Sequence, residues 1–202
     1  MSEFDPKART WDTPEKLTRS AKIAEAIRAA VPLRDDMAAF DYGCGTGQLS
    51  FELSEDLGPI LLADTSEGML AVLREKIKEA GAQDMRALNL DLATQALPDA
   101  RFDLIYSAMT LHHIDDTRQI LEQFHTLMNP GGYLCIADLD QEDGSFHGHH
   151  AKHVHRGFER AALGALAEEV GFSEIAFSDV LEVTRGGEEG RAFSVFLMVA
   201  RR

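Results

Sequence analysis

The sequence predicts an α/β fold: a doubly wound, seven-stranded sheet, mostly parallel, with helices on both faces. Three observations predict it. Short apolar runs alternate with segments of helical periodicity along most of the chain. A glycine-rich turn joins the first apolar run to the helix behind it. Two longer apolar segments, 172–184 and 192–201, flank Arg185-Gly186-Gly187-Glu188-Glu189-Gly190 and read as a terminal hairpin that supplies one antiparallel strand.

The elements follow in order. Thr13-Pro14 opens the first helix, with Thr13 as N-cap and proline at the first helical position. The helix runs to about Ala30 with Leu17, Ala21, Ala24, Ile27 and Val31 on one stripe. Strand one is 37–41 and its helix 47–56. Strand two, Ile60-Leu61-Leu62-Ala63-Asp64, leads to Ser66, which caps a helix ending at Gly81. Strand three is 85–90, and strand four is Phe102-Asp103-Leu104-Ile105-Tyr106-Ser107. A helix over 116–128 stops at Asn129-Pro130-Gly131-Gly132, strand five is 133–138, and a last helix over 158–170 ends at Gly171.

A chain of 202 residues suffices for one well-buried domain and is short for two, so 1–202 reads as one unit with 1–30 as a cap segment and helix. Twenty Lys+Arg against 34 Asp+Glu give a formal net charge of −14, a field that repels phosphate backbones and argues against nucleic-acid binding. No apolar stretch approaches the roughly 20 residues that span a bilayer, and Met1 to Lys7 holds no apolar signal core. Two cysteines, Cys44 and Cys135, fit a reducing cytoplasm better than a disulfide framework.

The most specific signal is Asp41-Tyr42-Gly43-Cys44-Gly45-Thr46-Gly47. Glycines on alternate positions let the backbone turn sharply and approach a ligand where a Cβ would collide. An acid at the strand's end suits a cationic ligand group rather than a phosphate, which points to a nucleoside carrying a cationic amino acid. The dinucleotide fingerprint G-x-G-x-x-G/A would need a small residue where Gln48 stands, and Asp41 would repel a pyrophosphate. Ligands of such sheets bind beyond the carboxyl ends of the strands. Asp41, Asp64 and Asp91 stand at three successive strand ends, and Asp64 follows Asp41 at about the 20-residue interval of a ribose-binding acid. A carboxylate there accepts two hydroxyl hydrogens, while Asp91 could accept from an exocyclic amine as the Leu92 amide donates to a ring nitrogen. Any one of these acids could equally be a helix cap or a solvated loop end.

With those motifs in order, the chain resembles the class I S-adenosylmethionine-dependent methyltransferases, small bacterial enzymes of Rossmann-like fold acting on small molecules, over about residues 10–202. The resemblance implies that Asp41, Gly43, Cys44, Gly45 and Gly47 lie against the cofactor's methionine moiety, Asp64 and Thr65 at its ribose, and Asp91 and Leu92 at its adenine. Ser107, ending strand four before Ala108-Met109-Thr110-Leu111-His112-His113-Ile114, falls beside the reactive methyl. It implies methyl transfer to a small-molecule acceptor; the alternatives are a cofactor-binding module without transferase activity and, less well supported, a dinucleotide-dependent oxidoreductase. The sulfonium already activates the methyl, so the family has no universal catalytic residue and none is assigned; His112 and His113 are the candidates for a base, or else cap or underlie the next helix.

On the substrate side, Met109 and His112 line the pocket beside Trp11, the only tryptophan, in a segment that folds across the cofactor mouth in similar enzymes or merely anchors the terminus. His147 to His155 holds five of the eight histidines. Three readings stay open for it: a lid over the substrate that includes His147, a solvated loop, or a metal site of His149, His150 and His153 on one helical face. Gly144 and Gly148 weaken that helix and no cysteine or acid cluster completes a site, so no metal is expected. The chain is expected to act as a monomer or homodimer.

Overall fold

The computed structural model describes residues 4–147, 155–185 and 190–202. Twelve regular elements are named here: α1 (Pro14–Ala30), β1 (Ala39–Tyr42), α2 (Gln48–Leu53), β2 (Ile60–Asp64), α3 (Glu67–Ala80), β3 (Met85–Asn89), β4 (Phe102–Ala108), α4 (Thr117–Leu127), β5 (Met128–Leu139), α5 (Arg160–Val170), β6 (Ser173–Arg185) and β7 (Arg191–Arg201). The strands form one sheet in the order β3-β2-β1-β4-β5-β7-β6. Pairing is parallel from β3 through β5, and β7 runs antiparallel to both neighbours, as expected for a doubly wound sheet closed by a hairpin.

Local chemistry sets the boundaries. Thr13 Oγ1 accepts from Lys16 N at 3.4 Å to start α1, and Ser66 Oγ accepts from Met69 N at 3.2 Å to start α3. Gly81 and Gly171 end α3 and α5 in the left-handed conformation. β1 is buried at every position, as a central parallel strand must be. One apolar layer packs α4 and α5 against Phe40, Ile105, Leu134 and Phe196; the other packs α1, α2 and α3 against Ala39, Leu62, Leu104 and Leu197.

Three expectations need correction. The buried face of α1 carries Ser20, Ile23, Ala24 and Ile27, while Leu17 is 45% exposed. Ser20 is turned inward because its hydroxyl donates to Gln48 Oε1 at 3.1 Å, a partner on α2 that no pattern within α1 reveals. The second helix stops at Leu53, shorter than the predicted 47–56. β5 starts at Met128 instead of 133: Met128 pairs with Phe102, and Gly131 N and Gly132 O bond the backbone of Arg202 at 3.0 and 3.1 Å. Arg202 thus ties this Pro-Gly-Gly stretch to the sheet, with Gly131 left-handed at φ 77°.

Candidate active site

The strand order reverses between β1 and β4, and a crevice of about 900 Å³ opens beyond the carboxyl ends of the strands there. Its floor is the glycine turn. Gly43, Gly45 and Gly47 all have positive φ, at 75°, 55° and 80°. The Gly43 and Cys44 amides donate to Ala63 O on β2, and a Cβ at Gly43 would lie 2.2 Å from Thr110 Cγ2. Gly45 differs: its Cβ would meet nothing nearer than Trp11 Nε1 at 3.7 Å, so its bare backbone borders open crevice.

The three strand-end acids converge here, and Asp41, Asp64 and Asp91 all line the crevice. Asp41 is buried and accepts from Ser50 Oγ at 2.6 Å, with Tyr106 Oη a further 2.6 Å beyond. Burial pushes its pKa up to about 7 against the Ser50 bond, and the charge of Asp64 adds to the rise. Asp64 is raised too, by burial first. One Asp64 oxygen takes the Gly45 amide and the other the Ser66 amide, both at 2.8 Å, leaving further lone pairs for a ligand's hydroxyls. Asp91 folds its own turn, accepting from Ala93 N and Thr94 Oγ1 at 2.9 Å each.

Other assigned residues sit elsewhere. Leu92 is fully buried and its amide donates to Tyr42 Oη at 3.1 Å rather than facing the crevice. Ser107 is buried with its hydroxyl on Tyr42 O at 2.8 Å, beneath the crevice rather than in its wall. Gly47 begins α2, where a Cβ would strike Leu73 at 2.6 Å; it packs helix on sheet. Cys44 and Thr65 line the crevice.

A strap from the N-terminal segment crosses this floor, with a 3-10 turn at Asp5–Thr10. Asp12 accepts from Thr46 Oγ1 (2.5 Å), Gln48 Nε2 (2.6 Å) and Lys76 Nζ (3.0 Å), which together hold its carboxyl below the usual range against the opposing effect of burial. Asp5 accepts from Ser66 Oγ at 2.6 Å and Gly68 N at 3.0 Å at the start of α3. Between these anchors Trp11 reaches the crevice, edge-on to Phe4 and with Lys16 Nζ 3.4 Å from its ring centre.

The opposite wall follows β4. Met109 is left-handed at φ 54°, an uncommon conformation for its type that turns the chain into the loop carrying His112 and His113. His112 Nδ1 lies 2.6 Å from Asp138 Oδ1, and both side chains are inaccessible. His113 is pushed down to about 3, by burial first and then by its neighbours His112 and His147. Neither histidine caps the following helix, because Asp116 Oδ1 accepts from Gln119 N there. His147 joins the crevice wall, whereas His155 braces the loop, its amide on His112 O and its Nε2 on Ile114 O. His149, His150 and His153 lie outside the described residues.

Sequence reasoning missed Tyr42 Oη, Asp12 and Asp138. Asp138 was within reach: it continues the series of strand-end acids on β5. It also missed the cations. Lys7, Lys16, Arg19 and Arg185 all line the crevice of an acidic protein; burial lowers Arg19 to about 10, with Arg185 adding to the drop. Such a set suits the carboxylate of an amino-acid moiety or an anionic acceptor.

S-adenosylmethionine fits the donors present. The bare Gly45 backbone admits close approach, Asp64 retains acceptor capacity for a diol, and Asp41 stands where a cationic group would favour its ionised form. Fold and crevice together define the class: a Rossmann-like domain with a crevice suited to S-adenosylmethionine. The chain belongs to the family described as "Methyltransferase domain", whose model matches residues 33–177. Demethylmenaquinone methyltransferase of Listeria welshimeri is 33% identical over 104 residues, which are 50% of this chain and 44% of that protein. An uncharacterized methyltransferase of Mycobacterium bovis is 34% identical over 54% of each chain, so the chain spans about half the length of the curated relatives it matches. Among solved structures, a SAM-dependent methyltransferase from Aquifex aeolicus superposes with a TM-score of 0.73 at 22% identity, covering 98% of this chain and 97% of its own.

Proposed function

We propose that the whole chain acts as one methyltransferase domain that transfers a methyl group from S-adenosylmethionine to a small-molecule acceptor. The observation that carries this reading is the meeting of Asp41, Asp64 and Asp91 around the Gly43–Gly47 turn in one crevice at the switch point. When bound, the cofactor supplies a methyl already activated by positive sulfur, which departs as a neutral thioether once an acceptor lone pair takes the carbon. The chain's part is mainly positional. Asp64 receives the ribose hydroxyls, Asp41 faces the cationic end, and Asp91 stands at the adenine end. Trp11 covers the mouth and excludes water, held by Asp12. Met109 and the imidazoles of His112, His113 and His147 wall the acceptor end.

Two free cysteines, Cys44 and Cys135, support a cytoplasmic setting, and among the described residues no helix is long and apolar enough to cross a membrane. β6 is an outer strand of the sheet, which leaves a homodimer through that edge as the alternative to a monomer. Co-crystallisation with S-adenosylhomocysteine tests the reading. The expected result is nucleoside density between Asp64 and Asp91, with the sulfur toward Met109; density elsewhere overturns it.

A further inference from the structure

Three histidines from two separate segments meet at the acceptor end. His112 and His113 follow β4, and His147 follows β5, with ring centres 4.2, 5.0 and 4.9 Å apart pairwise. One ligand nitrogen from each lies within 4.8 Å of the others. We propose that His112, His113 and His147 form a site for a divalent first-row metal ion of the zinc type, with its open position facing the crevice.

The support is chemical as well as geometric. Asp138 Oδ1 accepts from His112 Nδ1 at 2.6 Å and also takes the Leu139 amide at 2.7 Å, while Oδ2 takes the His112 amide at 3.3 Å. That carboxylate fixes the proton on Nδ1 and leaves Nε2 with its lone pair, the arrangement by which outer acids orient metal-binding imidazoles. The loop is rigidly placed: His113 N bonds Thr110 O, and His155 N bonds His112 O at 2.7 Å. Phe4 packs edge-on against His113 at 5.4 Å and Phe146 against His147 at 4.8 Å, aromatic neighbours that limit solvent access on that side of the cluster.

Three neutral imidazoles with a fourth position open is a ligand set of catalytic zinc centres, and imidazole also suits nickel, copper and iron. Zn–N bonds of about 2.0–2.1 Å bring ligand nitrogens to about 3.4 Å from one another. The 4.8 Å span of the three nitrogens must therefore close when an ion binds. The fourth ligand would be an oxygen or sulfur of the acceptor, held and made more acidic by the metal. That last role rests on the methyltransferase reading; metal binding does not.

The test is calorimetric titration of the metal-stripped full chain with ZnCl₂, without cofactor, and a parallel titration with S-adenosylhomocysteine. One zinc per chain is expected. His147→Ala should weaken zinc binding by roughly 100-fold, and Asp138→Asn by about tenfold or more. The zinc titration is made without cofactor and the S-adenosylhomocysteine titration without zinc, so loss of zinc binding in His147→Ala is read separately from the cofactor assignment. The combined variant His149→Ala, His150→Ala, His153→Ala should bind zinc like the parent. No saturable zinc binding, or binding kept in His147→Ala and lost in the combined variant, overturns the proposal.

Discussion

Asp12 and Thr46, 34 positions apart, share a 2.5 Å hydrogen bond that ties the N-terminal strap to the glycine turn beneath it. The same carboxylate holds Gln48 and Lys76, so one side chain joins the strap to the start of α2 and to α3. Asp12→Ala removes all three bonds. The expected outcome is a red-shifted emission from Trp11, the chain's sole tryptophan, and a several-fold loss of S-adenosylhomocysteine affinity. Unaltered emission and affinity would show that the strap stays closed without this anchor.

The glycine turn makes a prediction about steric demand. Gly43 has φ 75° and no room for a Cβ against Thr110, whereas Gly81 has φ 65° and nothing within 4 Å of its Cβ position. Gly43→Ala should therefore cost on the order of 3 kcal/mol or more. Gly81→Ala should cost about 1 kcal/mol from backbone conformation alone. Urea unfolding of the two variants checks the contrast, and equal losses would contradict the packing described at Gly43.

Asp41 makes a prediction about pH. Its folded-state pKa of about 7 lies above the ordinary 3.8, so the protonated acid favours the folded chain. That contribution is full below about pH 4 and is lost as pH rises through 7. Asp41→Asn cannot titrate there. Between pH 5 and pH 8 the parent should lose more stability than the variant in matched urea titrations. Parallel curves would mean that Asp41 is ionised throughout.

What could be read from the sequence was local. Thr13, Ser66 and Gly81 announce their helix ends because capping is decided within four residues. The apolar runs of β1, β2 and β4 are legible because a doubly covered parallel strand is buried on both faces. The acids Asp41, Asp64 and Asp91 are legible because each ends a recognisable strand. What was hidden depends on distant partners. Met128 to Gly132 reads as a turn, yet Phe102 and Arg202 hold it in the sheet. Leu92 looked available until Tyr42 Oη, 50 positions earlier, claimed its amide. His112 gains its orientation from Asp138, and His147 its neighbours from a loop after another strand.

The central claim is that the crevice holds S-adenosylmethionine through Asp64 at the ribose. Calorimetric titration of the parent and of Asp64→Ala with S-adenosylmethionine tests it most directly, with circular dichroism to verify that the variant folds. Saturable binding to the parent is expected, with a loss of more than about tenfold in the variant, the scale of one charge-assisted contact. Equal affinity in the two folded proteins, or no binding by the parent, would contradict it.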